Sequence, residues 1–228
     1  MAMLPERAEE DRDKEPGDFS ATRQRLLDAA ERQFAEHGFD GASLRQISTE
    51  ASVNLAATNY HFGGKEALYL AVFARRLRPI NAQRHHLLDQ LEAAAEPPTV
   101  AQLVGVIIEP LRALLIGESA LTVYPFIRCL ARAFFEPKPF MHEMMKAEFG
   151  PLFARLAKGF KRSLPHLAPE VISARLHSMV GAIFLTISRL VSGNSSAPLL
   201  REQPLRPEQA LNAVVDFCVA GFSAPTNP

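Results

Sequence analysis

Residues 43–65 read Ser-Leu-Arg-Gln-Ile-Ser-Thr-Glu-Ala-Ser-Val-Asn-Leu-Ala-Ala-Thr-Asn-Tyr-His-Phe-Gly-Gly-Lys, and this stretch decides the fold because it fits two short helices joined by a tight turn. The Ser43 hydroxyl is placed to cap a first helix that buries Leu44, Ile47 and Ala51 at i, i+3, i+7 spacing. Ser52 and Val53 make the turn. Asn54, another good cap, opens a second helix through Leu55, Ala56, Ala57, Thr58, Asn59 and Tyr60 toward Phe62. The exposed side of that helix is expected to be small and uncharged. Such a helix can settle deep in a DNA major groove, with Ala57 or Thr58 against thymine methyls and Asn59 against adenine or a phosphate.

At Ala51-Ser-Val-Asn54, at Asn59-Tyr-His-Phe-Gly-Gly-Lys-Glu-Ala-Leu68, and in the helix from Thr22 to His37 closed by Gly38, the chain resembles the TetR-type transcriptional regulators. The resemblance is specific over about residues 20–75. It implies a helix-turn-helix head and a larger helical body that binds an effector and dimerises. It also implies that Ser43, Arg45, Asn54, Leu55, Ala56 and Ala57 contact DNA, together with Thr58, Asn59, Tyr60, His61 and Lys65. Tyr60 and His61 are expected on phosphates. Val53 to Phe62 looks like a subgroup some of whose members respond to fatty acids or acyl compounds. Two positions depart from the family pattern. Ser52 stands where glycine is usual, which costs roughly 1 kcal/mol if the residue is left-handed. Asn59 stands where an aromatic residue is common.

The 228 residues suffice for a small domain and a larger one with its own core. Net charge is zero, which is awkward for a DNA binder. Part of the explanation lies in residues 1–19, which hold three basic and seven acidic side chains and read as a disordered acidic tail. Residues 20–66 still carry five basic groups against six acidic ones, so binding must rely on local placement, with Arg23, Arg25, Arg45 and Lys65 as the phosphate candidates. No run of 18 uncharged apolar residues and no apolar leader occurs, so a cytoplasmic protein without a membrane span is expected. Cys129 and Cys218 read as buried, reduced thiols.

The remainder reads as successive helices: about 22–37, a long one from Lys65 bent near Pro79 and continuing to Ala95, then about 100–116, 121–135, 139–163, 169–192 and 207–222. The expectation is an all-α chain of about nine helices, with a DNA-binding domain at 20–66 and an effector-binding and dimerisation domain at 67–228. The segments 171–191 and 210–222 are apolar around most of their circumference, so each needs cover on all sides, and a second copy can supply it as a twofold four-helix interface. Between head and interface, Phe135, Phe149, Phe153 and Phe184 belong to an aromatic-rich stretch suited to an apolar effector, with Tyr124, Arg128, Arg132, His142 and His177 as its polar partners. No catalytic or metal motif occurs, and no cofactor is expected. The expected activity is a homodimeric repressor released from a pseudo-palindromic operator by an apolar or amphipathic, acyl-like effector. The alternative is a helical ligand sensor or carrier that acts through protein partners without DNA; a helical enzyme ranks last.

Overall fold

Apolar residues three and four apart dominate the chain, and the computed structural model answers them with helices: α1 (Pro16–Gly41), α2 (Leu44–Glu50), α3 (Leu55–Phe62), α4 (Lys65–Ala93), α5 (Val100–Ile116), α6 (Ala120–Phe135), α7 (Met141–Ser163), α8 (Pro169–Ser192) and α9 (Pro207–Ser223). The structure describes residues 16–116, 120–135, 138–192 and 205–225, and among these no strand occurs. The chain divides into two compact units, the first ending at Val72 and the second beginning at Phe73, where the sequence reading put the boundary after residue 66.

In the first unit, α1 begins six residues before Thr22, so Phe19 is helical rather than part of a tail; residues 1–15 lie outside the described residues. Gly38 interrupts α1 with a φ of 71°, the stop that its position suggested. Leu26, Leu27, Ala30 and Phe34 form the buried stripe of α1, and Ile47, Ala51, Leu68 and Tyr69 are buried in the same unit. Tyr69 lies edge-on to both Phe34 and Phe39, at centroid distances of 4.7 and 5.2 Å. Between α1 and α2, Glu50 accepts from Arg32 Nε at 2.5 Å and from Gln33 Nε2 at 2.8 Å. The chain reverses at Ser52, whose φ of 56° is left-handed and is the one positive value on a non-glycine residue among those described.

The second unit is built round α5, whose Leu103, Val104, Ile107 and Ile108 are buried and which packs on α6, α7 and α9. Leu103 approaches α7 so closely that a Cβ on Gly159 would sit 2.6 Å from its Cδ2. Phe160 of α7 and Phe222 of α9 stack with centroids 3.9 Å apart. Pro79 lies inside α4, where it withholds one backbone donor, and the helix runs through it. Residues Pro169–Leu190 of α8 are long and apolar enough to cross a membrane, with a mean hydropathy of 1.5, yet α8 packs against α6, α7 and α9. Arg175 of α8 donates to the Phe222 and Ala224 carbonyls at 2.6 and 2.8 Å, satisfying the end of α9. Cys129 and Cys218 are buried free thiols, and burial pushes the Cys218 thiol up to about 11.

Ser52→Gly is expected to raise the stability of the chain by up to about 1 kcal/mol, the left-handed cost of a Cβ less the glycine's extra unfolded-state freedom. Urea unfolding measures it; an unchanged or lowered midpoint would show that the turn holds no strain.

Candidate functional site

Asn54 caps α3 by accepting from the Ala57 N–H at 2.6 Å, and Ser43 caps α2 by accepting from the Gln46 N–H at 3.2 Å. Two hydroxyls then set how α3 is rotated about its axis. The Ser48 hydroxyl donates its one proton to the Leu44 carbonyl at 2.6 Å. Its contact of 2.7 Å with Thr58 Oγ1 must therefore have Thr58 as donor. Both residues are buried, Thr58 to 1% exposure. With Thr58 turned inward, Leu55, Ala56, Asn59 and Tyr60 form the outer face of α3, and Tyr60 is 80% exposed. The left-handed Gly63, with φ 76°, closes the helix.

The second unit contains a cavity of about 710 Å³, within the range of small-molecule sites. Its walls come from α4, α5, α6, α7 and α8, with Phe126, Phe149, Phe153 and Phe184 among the lining residues. Arg84 of α4 reaches this cavity although it is only 5% exposed. It donates from Nη1 to Asn81 Oδ1 at 3.0 Å and from Nη2 to the Ile107 carbonyl at 3.1 Å. Burial lowers its pKa to about 10, which leaves it a cation at neutral pH. Asn81 in turn donates to the Glu148 main-chain carbonyl at 2.9 Å. Among the described residues no group of three His, Cys, Asp or Glu is arranged to hold a metal ion.

The family model described as "Bacterial regulatory proteins, tetR family" matches residues 26–72, ending where the first unit ends. The model described as "Tetracyclin repressor-like, C-terminal domain" matches residues 107–221, half of the chain. The chain belongs to the TetR family. Among curated proteins it is 43% identical over 51 residues to the HTH-type transcriptional repressor AcnR of Corynebacterium efficiens, a match covering 22% of this chain and 27% of that one. It is 31% identical over 98 residues to the HTH-type transcriptional regulator RutR of Escherichia coli, covering 37% and 46%. These matches span between about a quarter and a half of those relatives' own length. The fold extends further: the solved structure of the fatty acid degradation regulator FadR from Bacillus halodurans superimposes with a TM-score of 0.65 at 14% identity, covering 91% of this chain and 97% of that one.

Within this TetR-type head, the expected DNA-contact residues divide. Leu55, Ala56, Asn59 and Tyr60 are exposed on one face, and Arg45 is exposed on α2. Ser43, Asn54 and the half-buried Ala57 serve the helix starts. Thr58, expected against base methyls, is corrected: it is a buried packing residue, because its hydroxyl is needed by Ser48. His61 is half-buried with its ring 4.3 Å from Phe19, a contact missed because Phe19 was assigned to the tail. Lys65 donates to the Asp40 carbonyl at 3.2 Å and lies 4.7 Å over the Phe39 ring. An ammonium has three donors, so this contact does not exhaust it. Arg23 lies over the Phe62 ring at 5.2 Å.

Of the expected effector residues, His142, Phe149, Phe153 and Phe184 line the cavity. Tyr124, Arg128, Arg132 and His177, expected beside them, do not line it. Arg128 and His177 are exposed, the latter with Nδ1 at 2.7 Å from the Ser173 carbonyl on its own helix. The Phe135 side chain lies outside the described residues. The guanidinium at the cavity is that of Arg84, which the sequence reading left out. Its signal was the spacing Leu77, Ile80, Arg84, Leu88, which sets an arginine on the apolar stripe of α4.

Thr58→Val is expected to destabilise the chain by about 1–3 kcal/mol, the cost of leaving the Ser48 oxygen buried without its donor, and to leave base preference unchanged. Asn59→Ala is expected to change base preference with little loss of stability. Chemical unfolding alongside selection from randomised duplexes checks both; a shifted preference in folded Thr58→Val would return that residue to the DNA face.

Proposed function

We propose that the chain is a homodimeric, ligand-responsive repressor that binds a pseudo-palindromic DNA operator and is released by a small apolar or amphipathic effector, acyl compounds included. The observation that carries this reading is the outer face of α3, with Leu55, Ala56, Asn59 and Tyr60 exposed on a helix whose other side is held by Ser48 and Thr58. A face without charge suits close approach to base edges, while Arg45, Lys65 and the phenol of Tyr60 are suited to phosphates. DNA binding also puts the working protein in the cytoplasm.

Dimerisation is supported by what the C-terminal helices leave uncovered. Only 28% of the most apolar window of α8 is buried within one protomer, and Leu185 of α8 and Phe217 of α9 are 55% and 66% exposed. Ser178 of α8 and Ala213, Ala220 and Gly221 of α9 are small and exposed, which allows helices of two copies to pack closely. A twofold pair presents two copies of α3 to half-sites about one DNA turn, roughly 34 Å, or a multiple apart.

The cavity in the second unit is the proposed effector site. Helix α4 starts in the first unit at Lys65 and contributes Leu77, Ile80 and Arg84 to the cavity wall. A ligand that favours one packing of those residues acts on the helix that carries the head. It shifts the balance between binding and released forms only by its differential affinity for the two.

Selection from a random duplex pool is expected to return an inverted repeat whose binding weakens steeply with salt; failure to shift any duplex would favour a sensor acting through protein partners. Tyr60→Ala is expected to weaken all duplexes alike. Joint Leu185→Glu and Phe217→Glu substitution is expected to yield monomers in sedimentation equilibrium and to abolish operator-specific binding; a dimer that persists would move the interface elsewhere.

A further inference from the structure

The ionisable side chains of the cavity are all basic. Its lining includes Arg84, Lys138, His142 and Lys146 and no Asp or Glu. His142 and Lys146 are exposed and belong to its rim, whereas Arg84 is buried. Among the described residues no carboxylate forms an ion pair with Arg84. Glu148, linked to it through Asn81, is occupied with Arg78, which donates from Nε at 3.2 Å. Of the five N–H groups of the guanidinium, two are used, on Asn81 and Ile107, and Nε is buried without a hydrogen-bond partner. A buried cation with no counter-charge carries a desolvation cost that protein partners here do not offset.

We propose that the cavity takes a molecule with an apolar body and a single carboxylate, and that Arg84 is the seat of that carboxylate. This rests on the reading of the cavity as the effector site. A carboxylate accepts the free N–H groups in the forked geometry that a guanidinium presents, and a charge-assisted pair in this apolar setting is strong. The aromatic rings of Phe126, Phe149 and Phe153 then cover the body. One buried cation balances one negative charge. A phosphate monoester, close to doubly charged, would leave a surplus charge buried. A cationic ligand would meet four basic side chains and no acid.

The test compares dodecanoate, dodecanol and dodecyl phosphate below their aggregation limits, by titration calorimetry on the full chain. The parent is expected to bind dodecanoate about tenfold or more tighter than dodecanol, as a charged hydrogen bond of ordinary strength gives, and tighter than dodecyl phosphate. Arg84→Gln is expected to abolish the gap while keeping dodecanol affinity, which also reports an intact cavity; Arg84→Lys is expected to restore part of it. Lys146→Gln at the rim is expected to keep it. Equal binding of dodecanoate and dodecanol by the parent, or a gap that survives in Arg84→Gln, overturns the assignment of Arg84 alone. Failure of the parent to bind any of the three overturns it together with the apolar-effector reading.

Discussion

A hydrogen bond between two buried hydroxyls governs which face of α3 the head of this protein presents. Thr58 donates to Ser48, and Ser48 donates to the Leu44 carbonyl, so the chain of donors ends on the backbone of α2 and every proton in it is used. Apolar packing alone would tolerate small rotations of a helix as short as α3. A buried polar pair does not, because a rotation that separates the two oxygens takes the Thr58 proton from its acceptor and leaves the Ser48 oxygen, still donating to Leu44, with nothing to accept from. The rotation of α3 that keeps this bond turns Leu55, Ala56, Asn59 and Tyr60 to the outside. The cap at Asn54 and the left-handed Gly63 fix where the helix begins and ends.

The second unit is governed by the opposite kind of polar group. Arg84 is buried with no carboxylate among the described residues paired to it, and burial lowers its pKa. A surface cation such as Arg155, which Asp89 and Glu92 hold at 2.6 and 2.9 Å, joins α4 to α7 at little cost because water shares in its solvation. Arg84 has no such help. Its two hydrogen bonds, to Asn81 and the Ile107 carbonyl, hold it in place without neutralising it, which leaves an anionic molecule as the group that can complete its surroundings.

Much of this was legible in the chain, and the reason is locality. Helix caps depend on residues three apart, so Ser43 and Asn54 could be assigned directly. The helices from residue 100 onward fall close to the expected bounds because proline, glycine and periodic apolar residues mark them. Even the strain at Ser52 was visible as a missing glycine. The errors share one cause. Arg128 and Arg132 form a sequence stripe on α6 just as the aromatic residues do, and spacing says which residues share a face without saying what that face meets. Thr58 looked like a groove residue for the same reason, since its partner Ser48 lies ten positions away on another helix.

The sequence by itself determined the helices, their caps, the turn between α2 and α3, and membership of a DNA-binding family, because each depends on a short run of neighbours. Tertiary structure alone decided that Thr58 faces inward, that Phe19 packs on His61, and that Arg84 rather than Arg128 or Arg132 reaches the cavity. Those outcomes depend on which surfaces exclude water from one another, and in a helix that is set by partners distant along the chain.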